Sequence, residues 1–239
     1  MKTKRRDFIK MASMAGLSLA SANALYAQQV EEEKGFSDLP KRIDEYQKKH
    51  KQVFNMSGYA ASKISTVRMG IIGTGNRGSH HAGTISRISD VEIKAAADLE
   101  PKRFERIKKN LENTDHNPEY YYGSEDAWKE LCERSDLDLV LITTPTYMHS
   151  EMAVYAMEQG KHVITEVPAA VTIKECWDLV ETSERTRKHC MMMENYSYMP
   201  FHITTLNMAK QGFFGDIVHG DGAYNTSKMG NNFNKNMYW

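Results

Sequence analysis

The chain has 239 residues, enough for one large domain or two modest ones. Its 31 Lys and Arg residues balance 31 Asp and Glu residues, and 41% of its residues are hydrophobic, which is typical of a globular protein. Because nucleic-acid affinity depends on clustered excess positive charge, the zero net charge argues against a nucleic-acid partner. No apolar run approaches the roughly 20 residues that a membrane span needs.

The first 27 residues have the features of an export signal. A basic head that includes Arg5 and Arg6 precedes a mildly apolar stretch at 11–20, and small residues around Ala24 and Ala27 offer two cleavage sites. The run Arg-Arg-Asp-Phe-Ile-Lys resembles the twin-arginine export signal of bacteria. We therefore predict a signal peptide over residues 1–27 and export of the folded protein to the periplasm.

Residues 28–66 form a polar segment of mixed charge. The charged runs at 31–34 and 48–51 are typical of a solvated surface. A short helix is predicted over residues 43–54. We treat residues 28–66 as a separate N-terminal segment.

A glycine-rich loop follows the first buried strand. The apolar run at 67–72 predicts this strand, and it leads into Gly-Thr-Gly-Asn-Arg-Gly at 73–78. A helix is predicted at 79–88 and a second strand at 91–97. Asp98 ends that strand, 20 positions after the last glycine of the loop. Three glycines at this spacing are weak evidence alone, but the strand, turn, helix and acidic residue together form the dinucleotide-binding fingerprint.

Each part of this fingerprint has a physical role. Gly73 allows the tight turn, Gly75 lets the backbone approach a pyrophosphate, and Gly78 lets the helix pack on the strand. The helix N-terminus favours phosphates through its free N–H groups. Asp98 can accept hydrogen bonds from ribose hydroxyls and would repel a 2′-phosphate, which favours NAD over NADP. The alternative is a plain glycine turn followed by a surface aspartate.

Strands and helices continue to alternate along the chain. Helices are predicted at 101–111, 126–134, 150–159 and 173–187, and strands at 119–122, 137–143, 162–165 and 190–193. This order predicts an α/β fold of Rossmann type, with a parallel sheet covered by helices on both faces. Ligands of such sheets bind beyond the carboxyl ends of the strands, where residues 143–149, 166–168 and 194–198 fall.

Several short motifs resemble a known family of sugar oxidoreductases. The Thr-Thr-Pro at 143–145 followed by His149, the Gly-Lys-His-Val at 160–163 and the Glu-Val-Pro at 166–168 resemble the family named after glucose-fructose oxidoreductase and inositol dehydrogenase. Those enzymes usually have Glu-Lys-Pro at the third motif, and that lysine contributes to hydride chemistry. Val167 stands in its place here, which argues against an ordinary hydroxyl dehydrogenase.

A closer resemblance accounts for this departure. Glu-Val at 166–167, Glu-Cys-Trp-Asp at 175–178, Met-Glu-Asn at 193–195 and the glycine-containing runs at 212–215 and 218–220 resemble glycoside hydrolase family 109. Members of that family are NAD-dependent glycosidases, with α-N-acetylgalactosaminidase as the founding activity. The similarity extends from about residue 67 to 224.

The resemblance implies a reaction as well as a fold. In that family the sugar's 3-hydroxyl is oxidised by bound NAD, a base removes the C2 proton, and the C1 leaving group is eliminated. Water then adds, and the hydride returns to C3. The expected substrate is a glycoside with a terminal N-acetylgalactosamine-type sugar. Because NAD is regenerated in each cycle, this chemistry suits an exported enzyme.

The resemblance also implies site residues, beside those of the glycine fingerprint. The candidate cofactor contacts are Gly73, Gly75, Asn76, Arg77, Gly78, Asp98, Thr146, Tyr147, Met148, His149, Glu166, Val167 and Asn195. Tyr224 would contact the sugar, unless it is an exposed tyrosine of a sheet. Tyr198 is the candidate catalytic base or proton relay, and a packed core tyrosine is the alternative. No metal ligand is predicted.

Other chemically notable residues are predicted to be structural. Of His80 and His81, one ring is expected to point outward and the other to lie near the phosphates. A metal pair is not predicted, because adjacent positions of a helix do not face each other. The methionines at 191–193 are predicted to be core. Cys132, Cys176 and Cys190 are odd in number and lack metal-type spacing, which predicts buried reduced thiols.

The remaining residues are expected to begin a second domain. Family members continue with an open antiparallel sheet that covers the nicotinamide and builds the sugar pocket. We predict a Rossmann domain at 67–195 and the incomplete start of an α+β substrate domain at 196–239, with its first strand at 213–224. Self-association into a homo-oligomer would use that sheet.

Two other functions are compatible with the sequence. The first is an exported NAD-dependent sugar dehydrogenase or oxidoreductase of the same superfamily, against which Val167 argues. The second is a non-catalytic NAD-binding module. Exchange of the C2 proton with solvent during glycoside cleavage, without net NADH, would distinguish the glycosidase from both.

Overall fold

The computed structural model describes residues 39–221 of the chain. The chain divides after His50 into two units. Helix α1 (Leu39–Lys49) lies in the first unit and has no buried residue. It begins before the predicted range 43–54 because Pro40 suits a first helical turn, and it ends at Lys48 and Lys49, whose charge suits a helix C-terminus.

The second unit is built on one parallel sheet. Its six strands are β1 (Val67–Ile72), β2 (Val91–Ala97), β3 (Glu119–Tyr121), β4 (Leu139–Ile142), β5 (His162–Thr165) and β6 (Cys190–Met192). The strands lie in the order β3-β2-β1-β4-β5-β6, and every neighbouring pair is parallel. The order reverses between β1 and β4, which is where Rossmann folds bind a dinucleotide.

Helices cover both faces of this sheet. They are α2 (Asn76–Ile85), α3 (Phe104–Leu111), α4 (Ala127–Glu133), α5 (His149–Glu158) and α6 (Ile173–Thr186). One buried cluster packs α2 and α3 against one face and contains Ile71 and Ile107. The other packs α4, α5 and α6 against the opposite face and contains Ile72 and Leu131. Neighbouring residues of β1 thus enter different clusters, as the period of a strand requires, and the predicted Rossmann-type fold is confirmed.

Helix α2, which follows the glycine-rich loop, begins earlier than predicted. Strands β1, β2 and β5 have the predicted bounds, but α2 begins at Asn76 instead of residue 79 and ends at Ile85. The composition of the glycine-rich run predicts a loop up to residue 78. In the structure, Gly75 is the N-cap residue of the helix. Asn76, Arg77 and Gly78 therefore form the first helical turn.

The part of the chain from β6 onward differs most from the sequence expectations. A 3-10 turn at Asn195–Tyr198 and helix α7 (Pro200–Lys210), which the sequence analysis did not predict, follow β6. Residues 213–221 of the predicted strand 213–224 are not strand, because no described strand pairs with them, and 222–224 lie outside the described residues. The methionines at 191 and 192 are exposed rather than core, since β6 lies at the edge of the sheet.

The cysteine prediction holds only in part. Cys132 is buried and Cys190 is half-buried, and burial raises the pKa of the Cys190 thiol to about 11. Cys176 is exposed on α6, contrary to the prediction that all three are buried. The helix turns this position outward, and the neighbouring Lys174, Glu175 and Asp178 are charged. None of the three is in a disulfide.

Candidate cofactor site

The glycine loop is held so tightly that two of its glycines have no substitute. Gly73 has a φ of +86°, and a Cβ there would lie 2.9 Å from the backbone of Thr143. A Cβ on Gly78 would lie 1.9 Å from the Gly73 carbonyl oxygen and 2.6 Å from Thr143 Oγ1. The Thr143 hydroxyl donates to that same carbonyl. The first and third glycines therefore allow the loop, the helix and the end of β4 to meet.

Gly75 is different, because the protein itself does not require its small size. Its φ is −64°, and an added Cβ would meet only the guanidinium of Arg103, 3.3 Å away. No side chain caps the first turn of α2 beside it. The N-terminus of α2 therefore presents its N–H groups across a backbone that a ligand can approach closely, which fits a pyrophosphate.

Asp98 orders the loop in addition to ending β2. Its Oδ2 accepts hydrogen bonds from the Thr74 amide at 2.7 Å and the Thr74 hydroxyl at 3.0 Å. Its Oδ1 accepts one from the Glu100 amide at 3.1 Å. An ionised carboxylate offers about four acceptor positions, so these three donors leave capacity for a ribose hydroxyl. The predicted role of Asp98 is compatible with this geometry.

Arginine side chains surround the start of α2. Arg106, on α3, donates to the side-chain oxygen of Asn76, which leaves the amide N–H groups of Asn76 available to a ligand. Arg103 Nε lies 3.7 Å from Asp98 Oδ1. Arg77 is exposed on the first turn. Their positive charge adds to the helix N-terminus in favouring a dianionic pyrophosphate.

Glu166, at the end of β5, makes contact with α2. Its Oε1 lies 2.6 Å from His81 Nε2 and 3.8 Å from Arg77 Nε, and its Oε2 accepts from the Val167 amide at 3.2 Å. The hydrogen bond with His81 holds the pKa of Glu166 below its ordinary value, against the raising effect of burial. Glu166 is therefore a carboxylate at neutral pH. Of the two adjacent histidines, His80 is exposed, as predicted for one of them, and His81 contacts this carboxylate.

His149 is buried, with 1% of its surface exposed. Its Nδ1 lies 2.8 Å from the Pro168 carbonyl oxygen and its Nε2 lies 2.8 Å from the Thr144 carbonyl oxygen. The ring thus joins the loop after β4 to the loop after β5. Any effect of this predicted contact on a cofactor would pass through those loops, because the ring itself is enclosed.

The loop after β4 contains the other predicted contacts of this edge. Thr146, Tyr147 and Met148 form a 3-10 turn that leads into α5, with Thr146 and Tyr147 exposed and Met148 packed against the core. The Val167 side chain is 38% exposed beside Glu166. These residues lie beyond the carboxyl ends of β4 and β5, where the sequence analysis expected a ligand.

The last predicted residues lie after β6. Asn195 and Tyr198 are the two ends of the 3-10 turn, and both are exposed. Tyr198 is 66% exposed, so the alternative of a packed core tyrosine is wrong. Tyr224 lies outside the described residues. The structure therefore places every predicted contact from Gly73 to Asn195 at the loops and helix starts beyond the strands, with Tyr198 accessible next to them.

Sequence reasoning missed several residues that build the site. Thr74 and Thr143 hold the loop through hydrogen bonds to Asp98 and Gly73, and Arg106 orients Asn76. His81 was noticed only as one of two adjacent histidines. The available signal was its position on the helix that follows the loop, but its partner Glu166 is 85 residues away in sequence.

Two classes of feature are absent from the part of the chain that the structure describes. Within residues 39–221, no group of three or more His, Cys, Asp or Glu side chains is arranged to hold a metal ion. None of the helices in this range is long and apolar enough to cross a membrane.

The topology, the glycine loop and Asp98 define a dinucleotide-binding protein of Rossmann type. The profile of an oxidoreductase family described as having an NAD-binding Rossmann fold matches residues 67–194, more than half of the chain. The chain therefore belongs to this oxidoreductase family, and NAD is the cofactor that its site fits.

Curated relatives give a narrower comparison. The chain is 46% identical over 211 residues to a glycosyl hydrolase family 109 protein of Porphyromonas gingivalis. The aligned region covers 87% of this chain and 44% of the relative. It is 48% identical over 167 residues to an α-N-acetylgalactosaminidase of Bacteroides fragilis, and this aligned region covers 70% of this chain and 39% of that protein. The resemblance to glycoside hydrolase family 109 is thus confirmed. The chain spans less than half the length of these relatives.

A solved structure supports the fold. Scyllo-inositol dehydrogenase from Lactobacillus casei, determined with bound NAD(H) and scyllo-inositol, matches with a TM-score of 0.56 at 23% identity. The match covers 64% of this chain and 43% of the dehydrogenase. At this identity the likeness concerns the fold alone.

Proposed function

We propose that the chain forms the NAD-binding part of an exported glycosidase that hydrolyses terminal N-acetylgalactosamine-type sugars. The observation that carries the proposal is the 48% identity to the Bacteroides fragilis α-N-acetylgalactosaminidase over 167 residues. Such identity is far higher than the 23% shared with the inositol dehydrogenase of the same fold. The chain thus resembles the glycosidase branch much more closely.

The end of β5 supports this choice chemically. Oxidoreductases with the Glu-Lys-Pro motif have a lysine that contributes to hydride chemistry, and Val167 occupies that place here. A valine side chain can neither donate nor accept a proton. A proton-transferring group must therefore come from elsewhere, and the accessible phenol of Tyr198 is the candidate.

Different groups of described residues would bind different parts of the cofactor. The start of α2 and the uncovered backbone at Gly75 would bind the pyrophosphate, and Asp98 would accept from the adenosine ribose. Glu166 would accept from the ribose at the nicotinamide end. Bound NAD supplies an acceptor for hydride from the sugar and returns it within the same turnover. Tyr224 would contact the sugar.

Export of the folded holoprotein is part of the proposal. The twin-arginine pattern at 5–10 supports transport of a protein that already contains its cofactor, to the periplasm. A cofactor that is regenerated in each cycle need not be replaced after export. To test export, residues 1–30 are fused to a reporter protein that acquires its own cofactor in the cytoplasm, and the reporter is measured in the periplasm. The double substitution Arg5→Lys and Arg6→Lys should abolish the appearance of the reporter there.

The catalytic proposal is tested with two proteins. The full chain is purified, denatured and analysed by chromatography for NAD, which should be present at close to one equivalent. The chain is then joined to the carboxyl-terminal half of the Bacteroides fragilis enzyme and incubated in D₂O with an aryl α-N-acetylgalactosaminide. Release of the aryl group, deuterium at C2 of the released sugar and no net NADH would support the glycosidase.

The description of the family as oxidoreductases favours one second candidate, an exported NAD-dependent sugar dehydrogenase. Stoichiometric NADH without aryl release would establish that activity and overturn the glycosidase. Bound NAD without either reaction in the joined protein would favour a non-catalytic NAD-binding module. A folded chain without NAD would overturn the assignment of the glycine loop.

A further inference from the structure

His81 and Glu166 form a contact that neither the sequence motifs nor the family assignment explains. His81 lies on α2 and Glu166 follows β5, yet their side chains meet at 2.6 Å with only 15% and 13% of their surfaces exposed. Since an ionised carboxylate only accepts, His81 Nε2 is the donor. The neighbouring His80 is exposed on the same helix.

The contact joins two structural elements that, in the proposed cofactor site, would bind opposite parts of a dinucleotide. Helix α2 begins at the phosphate-binding loop, and Glu166 stands at the edge where the nicotinamide end is expected. His81 occupies Glu166 Oε1, with the charge of Arg77 3.8 Å from the same oxygen. Glu166 Oε2 has the Val167 amide as a backbone donor at 3.2 Å, which leaves it room for one more donor.

We propose that His81 is a positioning residue for the cofactor, which holds Glu166 so that its second carboxylate oxygen faces a hydroxyl of the nicotinamide ribose. This inference rests on the proposed role of Glu166 and adds a residue to it. A carboxylate on a flexible side chain would lose rotamer freedom on binding, and the histidine removes that cost in advance. Arg77 on α2 is the charged side chain that lies beside the pair, with its Nε 3.8 Å from Glu166 Oε1.

The proposal is distinguished from a purely structural link by the choice of ligand. NAD contains the nicotinamide ribose, whereas ADP consists of adenosine and the pyrophosphate and lacks that ribose. If His81 acts through Glu166, its loss weakens NAD binding and leaves ADP binding unchanged. If it only supports the fold of α2, both ligands lose affinity together.

The experiment uses the full chain, freed of bound nucleotide and titrated calorimetrically with NAD and with ADP. His81→Ala should weaken NAD affinity about ten-fold, the order expected for a hydrogen bond to a charged group. His80→Ala is the matched control and should bind both ligands like the wild type. His81→Gln, which retains an N–H donor, should recover most of the lost affinity.

A double-mutant cycle completes the test. Glu166→Gln should weaken NAD binding by itself, and adding His81→Ala should then weaken it no further. Additive losses, equal losses for NAD and ADP, or an unchanged NAD affinity in His81→Ala would each overturn the inference. A wild-type chain that binds ADP but not NAD would overturn the proposed role of Glu166, and one that binds neither would overturn the cofactor site.

Discussion

The glycine-loop half of the sheet and the segment from β6 to residue 221 are built in opposite ways. In the first, Ile71, Ile93 and Ile107 are completely buried between the sheet and its helices. In the second, α7 has no buried residue, and large apolar side chains such as Phe201 and Val218 are exposed. The glycine-loop half therefore buries its large apolar side chains within itself, whereas the segment from β6 to residue 221 exposes them.

This difference corresponds to the two parts of the proposed activity. Cofactor binding depends on steric limits and hydrogen bonds within the first region, such as the meeting of Gly73, Gly78 and Thr143. The candidate proton-transferring residue, Tyr198, lies in the second region and is exposed. Mutations should therefore affect folding, cofactor affinity or neither, according to the region in which they fall.

Gly78→Ala should have the largest combined effect on folding and cofactor binding. Its Cβ would lie 1.9 Å from the Gly73 carbonyl oxygen, which belongs to the backbone and cannot move aside without opening the loop. We expect a loss of about 3 kcal/mol or more in the free energy of unfolding, together with loss of NAD binding. Urea unfolding and calorimetric titration measure the two effects.

Gly83→Ala on the same helix is the control for that prediction. The nearest atoms to its Cβ belong to Asn110 and lie 3.5 Å away, an ordinary contact. Since alanine favours a helix over glycine, this variant should match or exceed wild-type stability by about 0.5–1 kcal/mol. If Gly78→Ala behaved like it, the close approach of α2 to the loop would be wrong.

His149→Phe should have the next largest effect. The substitution removes both ring nitrogens, at least one of which donates to the Thr144 or Pro168 carbonyl oxygen, so a buried acceptor loses its partner. We expect a loss of about 2 kcal/mol in the free energy of unfolding, measured by urea denaturation. His80→Phe, at an exposed position, should change it by less than about 0.5 kcal/mol. Equal stabilities would show that the ring does not join the two loops.

Gly75→Ala should separate folding from binding. An added Cβ meets only the flexible end of Arg103, so the free energy of unfolding should change by less than about 0.5 kcal/mol. The same methyl group would stand where the pyrophosphate must approach the backbone, and NAD affinity should fall by about two orders of magnitude. Wild-type affinity in this variant would mean that the phosphates bind elsewhere.

The sequence predicted the sheet well because its strands carry local signals. Strands β1, β2 and β5 are short segments rich in apolar residues, and their predicted bounds agree with the structure. Asp98 and the glycine spacing likewise belong to one continuous stretch. The strand bounds and the glycine fingerprint were accessible in this way because each is written in one continuous stretch of sequence.

Features that depend on distant neighbours were not accessible. His81 and Glu166 are 85 residues apart, and nothing in either local sequence pairs them. The methionines of β6 read as core because apolar residues in a strand usually are, yet they lie at the edge of the sheet and are exposed. The start of α2 was misplaced because a glycine-rich loop and a glycine-capped helix have the same local composition.

Phe201→Ser should have the smallest effect, and it tests the second region directly. Phe201 is 59% exposed on α7, so its replacement should change the free energy of unfolding by less than about 0.5 kcal/mol. Phe104→Ser is the matched substitution in the first region, where the ring is 3% exposed, and should lose about 3–5 kcal/mol. Comparable losses in the two variants would show that α7 is packed against something in solution, because an exposed phenylalanine contributes little to stability.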